Sequence, residues 1–345
     1  MSHTRTLAEL RATDAGAFGG KSSALGELIT AEIPVPPGFG VSTSAYRAFV
    51  EEAGLDGLIA TAMARVDPDD VDTVGAASHA IGEAMRSAPV PGAIRGELAA
   101  RYAELGEPPV AVRSSALGED SSEATFAGQQ ETYLWVRGAD GVCDAVRDCW
   151  VSLYSPPAIT YRARLGEMEP AMGVAVQTMV DAEVSGVMFT CNPVSGDPSM
   201  VAINASWGLG LAVVGGEVTP DDYLVSKVTR EVVREHVNPK EVEYVPDAGG
   251  HGAVRVEVPD ERRERPSLDQ PALAALVEVG RRVERYFGSA QDIEWAIARG
   301  GELPSSLFVL QTRPVTTTPK QPDQPKPASA MALLMNTFGA GGGDK

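Results

Sequence analysis

The sequence predicts a mixed α and β protein rather than a helix bundle or a β-sandwich. Short β-type runs alternate along the chain with longer runs of helical periodicity. Two β-type runs near the end, 292–298 and 307–313, are separated by a glycine-containing stretch and indicate an antiparallel hairpin with a long loop. With 43% hydrophobic and 22% charged residues, the chain can bury a sizeable core.

The predicted elements follow one another in order. Helical periodicity predicts helices at 21–30, 44–53, 78–86, 142–153 and 270–287, the last ending sensibly at Gly288. Strands are predicted at 110–113, 174–180, 185–190, 200–205, 224–228, 292–298 and 307–313. A turn-rich stretch at 191–197 indicates a boundary between a front lobe, 1–190, and a rear lobe, 191–317. The Pro- and Gly-rich composition of 318–345 predicts a disordered tail.

The charge of the chain limits its partners. Its 345 residues include 29 Lys and Arg against 47 Asp and Glu, a formal charge of −18, so nucleic acid and anionic membranes would repel it. No apolar run approaches the ~20 residues of a bilayer span, and no signal peptide is evident, which predicts a cytoplasmic protein. The three cysteines form no CxxC pair and are expected to be reduced structural thiols.

Lys21 follows two glycines where the first helix is predicted to begin. Free backbone N–H groups and the helix dipole favour an anion at such a place, so this segment is a candidate phosphate site. The spacing is not that of a P-loop, which would need a glycine where Ala15 stands. The alternative is a capped surface helix with a solvated lysine.

Arg113 ends a predicted strand and is followed by a run of Ser, Gly and Thr that extends through 128–132. A fixed guanidinium beside backbone and hydroxyl donors suits polyphosphate oxygens. Alternatively, Arg113 pairs with Glu119 or Asp120 in a polar turn.

The hairpin carries a third candidate. Alternation of side chains puts Asp292 and Glu294 on one face of their strand, and Gln311 and Arg313 on one face of theirs. If the two faces coincide, a carboxylate and an amide oxygen can both bind Mg²⁺ while Arg313 contacts phosphate. The alternative is a polar cross-strand pair on a solvated sheet face.

Two further segments carry weaker signals. Gln177 and Met179 belong to an apolar strand that can offer backbone groups to an adenine edge, and Glu183 follows at a distance suited to ribose hydroxyls. Buried core strands have the same appearance. The glycine-rich stretch 204–221 permits close backbone approach, but a turn between strands explains it equally well.

Several ordered runs carry a family resemblance: GGKSSALGEL, PVPPGF, AVRSSALGED, TFAGQQETYL, VSGVMFTCNPVSGD, ASWGLG, VTPDDYLV, DIEWAI and LQTRPVT. From about residue 7 to 317 the chain resembles the N-terminal nucleotide-binding domain of the phosphoenolpyruvate synthase and pyruvate phosphate dikinase family, which includes rifampicin phosphotransferase. The resemblance implies an α+β ATP-grasp fold, in which two lobes with antiparallel sheets clasp ATP.

The resemblance also implies a set of contacts with ATP and Mg²⁺. In chain order these are phosphate binding by Lys21 and Arg113, a covering loop with Gly128, Gln129 and Thr132, adenine and ribose contacts by Gln177, Met179 and Glu183, Mg²⁺ ligation by Glu294 and Gln311, and Arg313 facing the transferring group. Lys21, Arg113 and Arg313 are the expected catalytic residues.

In the family, ATP phosphorylates a histidine on a separate domain, leaving AMP, and that domain serves a small-molecule acceptor. None of the histidines of this chain lies in a phosphocarrier-like context, so the resemblance implies a stand-alone ATP-binding subunit with a histidine-bearing partner in trans. Leu211 stands where the family has a glutamate, which puts activity in question. Two alternatives remain: a carboxylate-amine ligase that forms ADP, and a nucleotide sensor without catalysis.

Overall fold

The structure, a computed structural model, describes residues 2–116, 132–165, 170–247, 249 and 252–315. Its strands are β1 (Thr4–Thr6), β2 (Gly38–Val41), β3 (Val110–Ala116), β4 (Thr132–Val136), β5 (Met172–Thr178), β6 (Ala182–Phe189), β7 (Met200–Trp207), β8 (Asp221–Ser226), β9 (Val232–His236), β10 (Val242–Pro246), β11 (Ala253–Glu257), β12 (Gln291–Ala298) and β13 (Leu307–Pro314).

Helices precede, cover and connect these strands. They are α1 (Ala15–Phe18), α2 (Gly20–Thr30), α3 (Thr43–Glu52), α4 (Asp56–Met63), α5 (Val71–Ser87), α6 (Gly92–Glu104), α7 (Ala139–Ser152), α8 (Pro156–Leu165), α9 (Leu211–Val214), α10 (Asp260–Arg263) and α11 (Gln270–Phe287), with 3₁₀ turns at Leu7–Glu9 and Ala12–Asp14. The expected mixture of helix and antiparallel sheet is confirmed.

In the described part of the chain, the first sheet has five strands in the order β1-β2-β5-β3-β4 and is antiparallel throughout. Alternation along β3 buries Val110 and Val112 on the face that α3, α5, α6 and α7 cover. Trp150 of α7 is fully buried there and stacks on Phe49 of α3, with ring centroids 5.3 Å apart. The opposite face of β3 therefore carries Arg113.

The second sheet has the order β13-β12-β6-β7-β8-β9 among the described strands and is also antiparallel. Ile293 and Trp295 of β12 are fully buried in an apolar cluster that includes one face of α11. Glu294, between them in sequence, consequently lies on the other face of the sheet. Asn204 and Asp222 occupy register positions on that face as well.

Helix α11 confirms the predicted helix at 270–287 because its end signals are strong. The Asp269 carboxylate accepts a hydrogen bond from the Ala272 backbone N–H at 2.9 Å and caps the first turn. Gly288 ends the helix at a φ of +71°. The other predicted helices and strands are also present. The largest change is α5, which begins at Val71 because Asp70 caps it.

The N-terminal segment packs between the two sheets. Leu25 and Leu28 of α2 lie in the same apolar cluster as the second sheet, and the Val309 N–H of β13 donates to the Pro34 carbonyl at 2.8 Å. The chain passes from the first sheet to the second between β5 and β6, ahead of the expected boundary at 190/191. The division into lobes at that boundary stays a prediction.

The structure also bears on two expectations from composition, the absence of a bilayer-spanning segment and the reduced state of the cysteines. None of the described helices is long and apolar enough to cross a bilayer. All three cysteines lie among the described residues, where they are buried and not joined by disulfide bonds.

Candidate functional site

Lys21 lies in the first turn of α2, which is docked against β3. Its backbone N–H donates to the Ser115 hydroxyl at 3.1 Å, and its ammonium donates to the Ser114 carbonyl at 2.8 Å. Gly19, just before the helix, has a φ of +81°, and a Cβ at this position would lie 2.1 Å from the Ser115 carbonyl oxygen. Glycine therefore lets the helix start close to the strand, and the lysine side chain is only 5% exposed.

Arg113 connects the two sheets. One end of its guanidinium donates to the Leu310 carbonyl of β13 at 3.1 Å, and the other end forms an ion pair with the Glu294 carboxylate of β12. The side chains of Arg113 and Glu294 are 15% and 34% exposed, so the pair is partly shielded from water. This contact brings a candidate phosphate ligand against a candidate metal ligand.

The register of β12 with β13 brings their polar faces together. Asp292 lies opposite Arg313 and Glu294 lies opposite Gln311, so the two faces coincide, which is the condition for Glu294 and Gln311 to share a cation. Arg313 donates to the Asp292 carboxylate through Nε at 2.9 Å and through a terminal nitrogen at 2.8 Å. A register shift follows Glu294, after which the strands pair again through Trp295.

The two carboxyl groups of β12, Asp292 and Glu294, have pKa shifts of opposite direction. Burial alone would raise the pKa of Glu294, but the Arg113 guanidinium, with Lys21 and Arg313 farther off, outweighs burial and holds that pKa below the usual range. Burial raises the pKa of Asp292, and its ion pair with Arg313 only partly opposes that rise. The surroundings therefore favour the charged form of Glu294 more than that of Asp292, and the charged form is the one that binds a metal.

These five residues form a group that we call the inter-sheet cluster: Lys21, Arg113, Glu294, Gln311 and Arg313. Glu294 and Gln311 offer oxygen atoms from directly opposed positions, which suits a hard divalent cation such as Mg²⁺. Within the described residues no three His, Cys, Asp or Glu side chains group as a complete metal cage. A cation held here would take its remaining ligands from water and phosphate, which is the usual habit of Mg²⁺.

The candidate base and ribose contacts lie near the passage between the sheets. Gln177 is buried on the same face of the first sheet as Arg113, because Ala111 and Ala175 are their respective partners in register. The Met179 backbone N–H donates to the Pro109 carbonyl at 2.9 Å. Glu183 lies half-buried at the start of β6, where its carbonyl accepts from the Gly208 N–H at 3.0 Å.

The loop expected to cover the phosphates is only partly described. Thr132 opens β4 directly opposite Arg113 and is exposed. Gly128 and Gln129 lie outside the described residues. Of the three loop residues expected to contact ATP, the structure therefore describes only Thr132.

Leu211 begins the short helix α9 after Gly210, which has a φ of +80°. The Ser185 hydroxyl donates to the Gly208 carbonyl at 2.6 Å and so ties this turn to β6. The side chain at 211 is half-buried and offers no oxygen atom to a ligand.

Sequence reasoning missed the contacts that use backbone oxygen atoms. The carbonyl groups of Ser114 and Leu310 hold Lys21 and Arg113, and every residue type has a carbonyl group. The Ser115 hydroxyl belongs to the Ser-Ser pair after Arg113, which the sequence offers as a source of ligand donors, and in the fold it accepts a hydrogen bond from the Lys21 N–H.

Fold and site together define an α+β protein in which two antiparallel sheets meet at a cluster of cations and metal-suited oxygen atoms. Residues 15–332 match the family model described as pyruvate phosphate dikinase, AMP/ATP-binding domain, and the chain belongs to that family. The family resemblance drawn from the sequence runs is thereby confirmed.

Curated relatives match most of this chain. A probable phosphoenolpyruvate synthase of Methanocaldococcus jannaschii is 40% identical over 328 residues, covering 93% of this chain and 27% of that protein. A second, from Methanothermobacter thermautotrophicus, is 40% identical over 343 residues, with 97% and 49% covered. The phosphoenolpyruvate synthase of Pyrococcus furiosus is 38% identical over 355 residues, with 90% and 43% covered. The chain thus spans between about a quarter and a half of these relatives.

Proposed function

We propose that this chain binds Mg-ATP in an ATP-grasp arrangement and uses it for dikinase-type phosphoryl transfer. The observation that carries the proposal is the contact of Arg113, on the first sheet, with Glu294 and the Leu310 carbonyl, on the second. A triphosphate at this point would meet cations from β3 and α2 and metal ligands from the hairpin. Membership of an AMP/ATP-binding family supports the choice of nucleotide.

In this proposal each site residue has one role in binding ATP or Mg²⁺. The assignments are phosphate binding by Lys21 and Arg113, cover by Gly128, Gln129 and Thr132, base and ribose contact by Gln177, Met179 and Glu183, Mg²⁺ ligation by Glu294 and Gln311, and contact with the transferring group by Arg313. The lobes 1–190 and 191–317 would close on the nucleotide.

The chemistry asks little covalent help from the protein. Lys21, Arg113 and Arg313 would bind phosphate oxygens so that the attacked phosphorus and its leaving oxygen lie in line with the attacking atom. Alignment and charge stabilisation would then supply most of the rate enhancement. Bound Mg²⁺ would neutralise charge on the phosphate oxygens. The attacking atom would be a histidine nitrogen, since neutral imidazole is nucleophilic near pH 7.

We further propose that this histidine belongs to a partner protein or domain and that AMP is the nucleotide product. The relatives extend well beyond the matched region, so the acceptor histidine and the small-molecule site would lie in parts that this chain does not include. Because AMP forms only when the α–β phosphate bond of ATP breaks, the histidine would receive a pyrophosphoryl group. Water would take its terminal phosphoryl group as inorganic phosphate, and the partner would pass the remaining phosphoryl group to a small molecule.

Nucleotide chromatography tests the reaction type. The purified chain is incubated with ATP and Mg²⁺, alone and with the part of the Pyrococcus furiosus relative that lies outside the match. We expect little AMP from the chain alone and AMP in amounts matching the added partner. ADP as the product would favour a ligase, and nucleotide binding without transfer to this or any native partner would favour a sensor.

A further inference from the structure

The ion pair between Arg113 and Glu294 joins two residues that the proposed function gives to different ligands. We propose that this pair is a latch, which the polyphosphate of ATP opens, so that the divalent cation binds well only together with nucleotide. This inference rests on the proposed function and concerns how its site is controlled.

The geometry of the ion pair makes Arg113 a competitor of the cation for the Glu294 carboxylate. Arg113 is held at both ends, by the Leu310 carbonyl and by Glu294, and it is the less exposed of the two arginines in neighbouring ion pairs. In the other, Arg313 with Asp292, the arginine is 47% exposed. A shielded charge pair is weakened less by solvent and salt than an exposed one.

A cation arriving alone faces a double cost. It must take Glu294 from Arg113, and it leaves a partly buried guanidinium without its carboxylate. Polyphosphate removes both difficulties, because its oxygen atoms give Arg113 a new acceptor and release Glu294 for the metal. The two ligands should therefore bind with positive coupling, and coupling of this kind is reciprocal.

The ion pair also ties the first sheet to the second, since Arg113 belongs to β3 and Glu294 to β12. Opening the latch would replace a direct tie between the sheets with one that runs through the ligand. Arg313 and Asp292 both belong to the hairpin, so their pair lacks this property.

Mn²⁺ titration followed by electron paramagnetic resonance tests the latch without any turnover. The purified chain, without nucleotide, is compared with Arg113→Gln, Arg313→Gln and Arg234→Gln. Arg313→Gln removes a positive charge from the same cluster but leaves the latch closed. Arg234→Gln removes an arginine paired with Asp222 on the same sheet face, outside the cluster.

We expect Arg113→Gln to bind free Mn²⁺ about tenfold more tightly than the unmodified chain. The two control variants should change the affinity by less than about threefold. Adding Glu294→Gln to Arg113→Gln should abolish the gain. Equal gains from Arg113→Gln and Arg313→Gln would mean a general charge effect and would overturn the latch, as would no gain from Arg113→Gln.

Arg113→Lys provides a second variant should Arg113→Gln be unstable, and a partial gain in Mn²⁺ affinity is expected because a lysine lacks the forked contact. Calorimetric titration with Mg-ATP is the separate test of the proposed function. Mg-ATP binding with no effect of either Arg113 variant on free Mn²⁺ would reject the latch alone. No Mg-ATP binding at all would reject the proposed function.

Discussion

Glu294 and Gln311 face each other directly across two antiparallel strands of one hairpin. Their side chains lie on the sheet face opposite the buried Ile293 and Trp295. The apolar core of the second sheet therefore aims both oxygen-bearing groups at the junction with the first sheet.

Replacing Glu294 tests its proposed role as a Mg²⁺ ligand. Glu294→Gln is expected to lower phosphoryl transfer with the cognate partner at least about a hundredfold, since groups that stabilise transition-state charge are typically worth about 3 kcal/mol. The rate of AMP formation measures the effect. Glu278→Gln on α11, where the side chain is 50% exposed, is the control and should keep the normal rate. Near-normal transfer by Glu294→Gln would rule out the metal assignment.

Lys21→Met removes the ammonium group and keeps most of the side-chain stem. We expect weaker ATP binding and transfer reduced by two orders of magnitude or more, because phosphate oxygens would lose a cation that α2 holds in place. Calorimetric titration and AMP release measure the two effects. Circular dichroism should show an unchanged fold. ATP affinity equal to that of the unmodified chain would show that Lys21 does not contact the phosphates.

Gly19→Ala tests how α2 is seated. The new Cβ would lie 2.1 Å from the Ser115 carbonyl oxygen at a φ of +81°, so the helix must move away from β3. We expect a loss of about 3 kcal/mol or more in the free energy of unfolding, measured by urea denaturation, together with weaker ATP binding. Gly106→Ala is the matched control, since its φ is +84° with no atom within 4 Å, and should cost only about 1–2 kcal/mol. Equal losses would contradict the steric argument.

The buried ion pair of Lys240 and Asp221 tests the second sheet. Both side chains are fully buried, with Nζ and Oδ1 2.6 Å apart, and Asp221 also accepts from the Ser267 N–H and hydroxyl at 2.8 and 2.6 Å. Lys240→Met should cost about 3–5 kcal/mol in urea denaturation, because a buried carboxylate loses its counter-charge. The further change Asp221→Asn should restore part of this loss. A cost under about 1 kcal/mol for the single variant would count against the pair as an anchor.

Acid should loosen the N-terminal strand through Glu97. Burial would raise the pKa of this carboxyl, but hydrogen bonds from the Ser2 hydroxyl, the His3 N–H and Thr4 outweigh burial and lower the pKa. A carboxyl with a lowered pKa stabilises the folded state above its ordinary value, about 4.3, and loses that contribution as pH falls through the lowered value. Melting curves should therefore show the unmodified chain more stable than Glu97→Gln near neutral pH, with the difference shrinking below about pH 4. A difference that does not vary with pH would refute this.

Local signals predicted much of the fold. Helix 270–287 has its predicted bounds, and Gly288 ends it as its place in the sequence indicates. Alternation left open whether the polar faces of the two hairpin strands coincide, because a one-residue change of register would separate them, and the register in the structure decides that they do. By contrast, β1 and β2 are short strands. β1 pairs with β2, and β2 also pairs with β5, which lies much farther along the chain, so no local pattern indicated these two strands.

The sequence by itself determined the α and β mixture, the acidic character, the family and the residue types available to a phosphate and a metal. Only the tertiary structure decided that Arg113 pairs with Glu294, 181 residues away, and that Lys21 rests on the Ser114 carbonyl, 93 residues away. Alternation and helix ends act over a few residues and can be read along the chain. Contacts between sheets depend on how distant apolar faces pack, and backbone carbonyl groups carry no signature of residue type.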